Sequence, residues 1–394
     1  MFLASLANGL CNLCFCTTAR SMMTLSGNIL TPGGFVQGTL VFGPDGRIES
    51  VQGESISEDA AKVSGLPWVL PGFIDLHAHG AGGRDIMEGG EAARIVSQTH
   101  ARHGTTSMLG TTMTAPMDDL VVAMSAMTDV CQHRAHGGAR ILGVHLEGPY
   151  INEGRLGAQP PFTRPVQSDE LAALNALAPI RLITLSPEVP GNMELIESLC
   201  ADGYRVQIGH SSGSYEDGVQ AMAKGARGFT HLFNAMTGLH HRDPGMVGAA
   251  LAHAQYAEII PDLIHVHPGA IRVALRCIPG LYCVSDSTAA AGMPDGEYRL
   301  GSHTVYKCLG AVRLADGTLA GSALTLDKAL RNLVHTLGLS MQEGSMRVST
   351  HAADYMGLSD RGRLATGAWA DVVVLDSGLQ LQSVWVEGDA VERT

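Results

Sequence analysis

His77 and His79 are the residues of this chain whose types and spacing point most directly to chemistry. They close the apolar run Val69-Leu-Pro-Gly-Phe-Ile-Asp-Leu-His77-Ala-His79-Gly80. Residues two apart on a strand share a face, so both imidazoles project to one side. Imidazole binds divalent zinc, nickel or iron, and two converging from a strand end make half a metal site. The missing ligands are sought at the ends of other apolar runs.

Four such ends supply candidates. Glu147 closes Gly143-Val-His145-Leu-Glu147-Gly148-Pro149, where the Gly-Pro that follows holds the carboxylate in a turn and its two oxygens could bridge two cations. His145 shares that face one layer lower, where it orients a ligand or fills the core. His210 ends Val206-Gln-Ile-Gly-His210 and His231 ends Gly228-Phe-Thr-His231. Asp286, in Cys283-Val-Ser-Asp286-Ser-Thr288, is either a proton carrier or the cap of a following helix.

Positioning these groups requires a repeated element. Strand-like runs fall at 70–76, 105–111, 140–146, 181–186, 205–209, 228–232, 258–264 and 281–285, separated by helix-like segments such as 90–103, 117–132, 168–177, 192–202 and 215–224. Eight strands alternating with helices predict an α/β fold, a closed parallel (β/α)8 TIM-like barrel over residues 71–350 with its chemistry at the C-terminal strand ends. The ends of the chain read as short strands and turns. Thr39-Leu-Val-Phe42, the turn Gly43-Pro-Asp-Gly46 and Arg47-Ile-Glu-Ser-Val51 suggest a hairpin, and 362–375 and 383–388 add further strands. Residues 23–70 and 351–394 are therefore expected to build one small β-sandwich domain.

Composition narrows the partners. A chain of 394 residues with 45% hydrophobic content buries a large core, and a net charge of −12 argues against broad binding to nucleic acid or to an anionic membrane surface. Any anionic ligand must be held by a few local cations. No stretch is long and apolar enough for a membrane span. Cys131, Cys200, Cys277, Cys283 and Cys308 are scattered singly, which fits a reducing cytoplasm better than a disulfide framework. Cys11, Cys14 and Cys16 have knuckle-like spacing but no second pair to complete four ligands. Residues 1–22 lack the basic start of a secretory signal and read as a non-native or disordered extension from a misplaced start codon.

Taken together, His77, His79, Glu147, His210, His231 and Asp286 resemble the site of the amidohydrolase superfamily. More narrowly, Leu-Glu-Gly-Pro (146–149), Gly-His-Ser (209–211), Thr-His-Leu-Phe-Asn-Ala-Met (230–236), His-His-Arg-Asp-Pro-Gly (240–245) and Leu-Ala-Gly-Ser-Ala-Leu-Thr-Leu (319–326) resemble the N-acetylglucosamine-6-phosphate deacetylase family, from about residue 23 onward. The resemblance implies a barrel of the amidohydrolase type. It implies a principal divalent cation on Glu147, His210 and His231, and a second on His77 and His79; zinc is the first expectation, with iron, cobalt or manganese accepted by the same donors. It also implies Asp286 as proton carrier, and Arg242, His265, Asn234 and Ala235 as phosphate contacts in a homodimer acting on a small amino sugar phosphate.

Two departures bear on the substrate. Where the family has a histidine after the glutamate strand, Gly157-Ala158-Gln159-Pro160 carries Gln159, which hydrogen-bonds but cannot become a cation. The loop before His265 reads Asp262-Leu-Ile-His265 in place of the family's Asp-Gly-x-His. Both leave open the galactosamine isomer as substrate. Amidohydrolases that bridge their metals with a carboxylated lysine on the fourth strand fit less well, because Lys62, Lys224, Lys307 and Lys328 all lie outside 181–188. A catalytically dead scaffold would have lost ligands, and none is lost here.

Overall fold

The computed structural model describes residues 22–392. The expected N-terminal extension, apart from Met22, lies outside them, as does the Cys11, Cys14 and Cys16 cluster. Six strands form one parallel sheet in the order Gly228–Phe229, Arg205–Ile208, Ile180–Leu185, Arg140–Glu147, Thr105–Thr112, Phe73–Asp75. Tyr256–Ile259 and Gly280–Cys283 form a second parallel pair. Backbone hydrogen bonds join that pair to both ends of the larger sheet: Leu232 N donates to Glu258 O (2.9 Å), and Asp286 N donates to His77 O (2.8 Å). The sheet is apolar on both faces because helices such as Ala92–Arg102, Met117–Gln132 and Ser168–Leu177 separate its strands in the chain and pack against it.

Three expectations need correction. The run 70–76 is two strands: Trp68–Pro71 pairs with the terminal sheet and Phe73–Asp75 with the central one. Gly72 sits at the division, where a Cβ would lie 2.2 Å from the Thr106 hydroxyl oxygen. The strand expected at 258–264 ends at Ile259, because Pro261 lacks a donor and Asp262 Oδ1 accepts from the amides of Ile264 and His265, making a turn. The stretch 228–232 keeps strand geometry only at Gly228–Phe229. Unforeseen was an antiparallel sheet of Gly296–Leu300, His303–Cys308, Ala311–Arg313 and Leu319–Ser322.

Both chain ends share a seven-stranded sheet in the order Asp389–Ala390, Leu381–Val386, Val372–Leu375, Trp68–Pro71, Met23–Thr31, Gly34–Phe42, Ile48–Ile56. Its own apolar cluster draws Ile29, Leu40, Phe42 and Val69 from one end and Leu364 and Val372 from the other. A buried ion network ties this sheet to the central one. Arg361 pairs with Asp371 (2.6 Å) and with Glu387, while Arg140, which opens a central strand, reaches both oxygens of Glu387 at 2.8 Å. Among the described residues, no helix is long and apolar enough to cross a membrane.

Burial raises the Glu387 pKa, but Arg140 and Arg361 outweigh it and hold the carboxyl near about 2. A depressed carboxylate contributes stability above its unfolded pKa and loses it as pH falls toward the folded value. Arg361→Ala should therefore cost about 3–5 kcal/mol in urea unfolding at pH 7, because it strands the buried Asp371 carboxylate and removes one of the cations paired with Glu387. The deficit should shrink as pH drops from about 4.5 toward 2. A pH-independent loss below about 1 kcal/mol would show the network to be dispensable.

Candidate active site

The C-terminal ends of the parallel strands bring the predicted groups together. Glu147 Oε1 lies 3.1 Å from His210 Nε2 and 3.1 Å from His231 Nε2, which are themselves 3.1 Å apart. Glu147 Oε2 lies 3.1 Å from His79 Nε2 and 3.5 Å from His77 Nε2. Asp286 Oδ1 closes the second group at 3.4 Å from His79 and 3.5 Å from His77. All six side chains are buried.

The backbone is bent to achieve this. His210, His231 and Asp286 have φ of 49°, 29° and 48°, a region that L-residues rarely enter. Such outliers cluster where function demands a geometry that local preference opposes. Gly148, directly after Glu147, has φ 71°, and a Cβ there would meet the Thr114 hydroxyl oxygen at 2.0 Å. Only glycine lets the chain turn away immediately behind the shared carboxylate.

Ring orientation is set from behind. His77 Nδ1 is 2.9 Å from the buried Glu258 carboxylate, and His210 Nδ1 is 2.7 Å from the Arg155 carbonyl. Both contacts place a proton on Nδ1 and free Nε2 to face the centre, the arrangement found behind metal-bound histidines. His145 uses Nδ1 on Leu76 O (3.1 Å) and Nε2 on Thr184 Oγ1 (2.7 Å), so it supports the strand ends. Gln159 Nε2 donates to Glu147 Oε2 at 2.5 Å and its carbonyl accepts from Thr114 N at 2.7 Å.

Electrostatics show what the cluster lacks. Burial opposes charge on His77, yet Glu147, Glu258 and Asp286 outweigh it and raise its pKa well above the usual value. Burial likewise opposes charge on His79, but Asp286 and Glu147 lift it to about 9. Burial pushes Asp286 up, and the charges of His77 and His79 bring it down to about 2. Glu147 is held well below the carboxylate range, chiefly by His77, His210 and His231, against the cost of burial. Positive charge is needed between these imidazoles and carboxylates, and protons or cations can provide it. The donors fall into three tight sets among the described residues: Glu147 with His210 and His231, His77 with His79 and Asp286, and, behind these, His77 with His145 and Glu258. The first two face the cavity, and their all-nitrogen-and-oxygen donors fit a divalent cation.

A cavity of about 360 Å³ opens onto the cluster. Gln159, Asn234, Ala235 and His265, the expected substrate contacts, line it. Arg242 does not: it is exposed on the loop before the helix Gly245–His253, outside the cavity wall. Sequence reasoning missed Arg155, which lines the cavity, and Glu258, which holds His77. A charged residue inside the otherwise apolar strand Tyr256–Ile259 was the available signal for Glu258. Arg155 Nε donates to Ser212 Oγ (3.2 Å), and Arg155 lines the same cavity as Asn234 and Ala235.

Residues 68–391 match the amidohydrolase family. The chain is 39% identical over 327 residues to an N-acetylgalactosamine-6-phosphate deacetylase of Escherichia coli O157:H7, covering 81% of this chain and 86% of that one. It is 37% identical to an N-acetylglucosamine-6-phosphate deacetylase of Vibrio furnissii, covering 82% of each. Its structure superposes on the Thermotoga maritima N-acetylglucosamine-6-phosphate deacetylase with a TM-score of 0.85 at 30% identity, over 94% of this chain and all of the other. A mutant Mycobacterium smegmatis N-acetyl-D-glucosamine-6-phosphate deacetylase in complex with N-acetyl-D-glucosamine-6-phosphate gives a TM-score of 0.86 at 29% identity, over 94% and 100% of the two chains.

The charge balance yields a direct test. With His79 raised to about 9, the metal-free cluster carries protons at neutral pH that a cation must displace. Zinc uptake by the chelator-stripped protein should release protons, seen by calorimetry in buffers of different ionisation enthalpy. Its affinity should weaken as pH falls from about 9 to 6. Proton-free uptake, constant over that range, would contradict the arrangement.

Proposed function

This chain belongs to the amidohydrolase family, and we propose that it hydrolyses the N-acetyl group of N-acetylglucosamine 6-phosphate, giving glucosamine 6-phosphate and acetate. The observation that carries this reading is the Glu147 carboxylate set between two imidazole pairs, with Asp286 beside them at the floor of an open cavity. We read Glu147, His210 and His231 as the principal metal ligands and His77 and His79 as the second set, with zinc as the metal. A divalent cation there supplies acidification of a water and polarisation of a carbonyl.

The chain's own residues do the rest. Asp286 is ionised, so it can accept the proton of the attacking water and hand it to the amine nitrogen as the C–N bond breaks. Gln159 steadies Glu147 and presents a neutral hydrogen-bonding edge to the substrate. The phosphate lies against Asn234, Ala235 and His265. Burial opposes charge on His265, but Asp262, 2.7 Å from Nδ1, raises its pKa and favours the cation. Arg155 supplies a guanidinium from the cavity wall, and Arg242 can join only if its loop folds inward.

The eight parallel strands are read as a (β/α)8 barrel over residues 71–350, and the seven-stranded sheet, folded around its own core, as a small β-sandwich of 23–70 and 351–394. A cytoplasmic homodimer is the accompanying proposal, supported by the family resemblance and by five free cysteines among the described residues. The galactosamine isomer is the second reading, favoured by the Escherichia coli relative and by Gln159 at the family's histidine position.

Zinc-loaded protein should release acetate from N-acetylglucosamine 6-phosphate far faster than from unphosphorylated N-acetylglucosamine; equal rates would remove the phosphate site from the account. Asp286→Asn should lower kcat by about 10²–10⁴ while zinc content stays unchanged. Activity within a few-fold of wild type would exclude Asp286 as the proton carrier. Arg155→Ala should raise KM about tenfold or more for the phosphorylated sugar alone, as expected for loss of a charged hydrogen bond. An equal rise for both sugars would point to a structural role.

A further inference from the structure

A second cavity, of about 290 Å³, opens at the opposite ends of the same strands. Arg181, Arg205 and Arg227 line it together with Cys200, Tyr204 and Met356. The topology explains their meeting. Arg181 is the second residue of Ile180–Leu185, Arg205 opens Arg205–Ile208, and Arg227 directly precedes Gly228–Phe229. These are three consecutive strands in register: Leu182 pairs with Arg205, and Arg227 N donates to Val206 O at 3.0 Å.

Arg181 and Arg227 are exposed and Arg205 is half-buried, and all three reach the same recess. Gly143 makes room for the Arg181 stem, since a Cβ there would lie 2.5 Å from Arg181 Cγ. The Arg205 guanidinium stands 5.9 Å from the centre of the Tyr355 ring. Yet among the described residues none of the three makes a side-chain hydrogen bond or ion pair. Structural arginines in this protein behave otherwise: Arg361 is paired with two carboxylates, and Arg347 donates to the carbonyls of Pro279 and Leu281. Gathering three unneutralised cations around one recess costs free energy that a bound anion would recover. In a chain of net charge −12 this concentration of positive charge does not follow from composition.

We propose that the Arg181, Arg205 and Arg227 cavity binds the phosphate group of a small phosphorylated metabolite, at a site separate from the catalytic cavity. Guanidinium groups offer paired donors that match phosphate oxygens. Tyr204 and Met356 give the recess a less polar wall for the remainder of the molecule. Its size suits a small ligand and not a folded partner. Arg205 and Arg227 begin the strands that end in His210 and His231, so occupancy there bears on the same elements that carry two metal ligands.

The test is equilibrium dialysis of the zinc-loaded full chain against radiolabelled inorganic phosphate at low ionic strength, comparing wild type, Arg227→Gln, Arg181→Gln and Arg155→Ala. Arg227→Gln and Arg181→Gln should each weaken one class of binding by about tenfold or more. Their deacetylation kinetics and phosphate-free thermal midpoints should stay at wild-type values. Arg155→Ala should retain that class, which separates it from phosphate held in the catalytic cavity. Unchanged binding in both arginine-to-glutamine variants overturns the proposal. Glycerol phosphate should displace the label from this class at least as well as unlabelled phosphate; failure to displace it overturns the metabolite assignment.

Discussion

A buried carboxylate ringed by four imidazoles is stable only with positive charge between them. Glu147 offers one oxygen to His210 and His231 and the other to His79 and His77, and burial of all these side chains weakens the screening between their charges. In the metal-free protein, protons answer that demand, which is why His79 is lifted to about 9 while Asp286 is drawn down to about 2. A divalent cation answers it better, because it satisfies two or three donors at once without requiring each imidazole to carry a full charge. The same bias keeps Asp286 ionised and able to accept a proton.

The fold can be understood as the means of holding this arrangement. Parallel strands deliver their last residues to one rim, and the candidate ligands come from four strand ends, with only His77 and His79 sharing one, so no single local segment contains the site. The left-handed backbone at His210, His231 and Asp286 is tolerated because buried partners hold each residue: Arg155 O behind His210, Glu258 Oε2 on the amide of His231, and His77 O on the amide of Asp286. Glu258 serves twice, on His77 Nδ1 and on His231 N, and so couples the two candidate ligand sets from behind.

Much of this was legible in the chain alone because the candidate ligands sit at strand ends, where an apolar run stops abruptly at His77, Glu147 or His210. The spacing of strand-like and helix-like runs was equally plain, and helices such as Met117–Gln132 and Ser168–Leu177 fall where expected. What stayed hidden has physical causes. Arg155 lies in the short turn Glu153–Arg155, where no periodicity reports direction, so the residue facing the cavity could not be separated from its exposed neighbours. Arg242 matched a family motif by position, yet position in a motif does not say which way a loop turns. The division of 70–76 at Gly72 depends on the approach of Thr106, a contact between segments that no local pattern encodes. The antiparallel sheet from Gly296 to Ser322 has short strands with exposed faces, so its hydrophobic alternation is weak, although Leu300, Leu319 and Gly321 from it complete the cavity wall.

The central claim is that Glu147 grips a cation. Anomalous diffraction at the zinc edge from crystals of the zinc-loaded protein tests it most directly. The account predicts a peak within coordination distance of Glu147, His210 and His231, and a second, where occupied, on the His77 and His79 side of the same carboxylate. Zinc bound elsewhere, with no peak at coordination distance from Glu147, would contradict it.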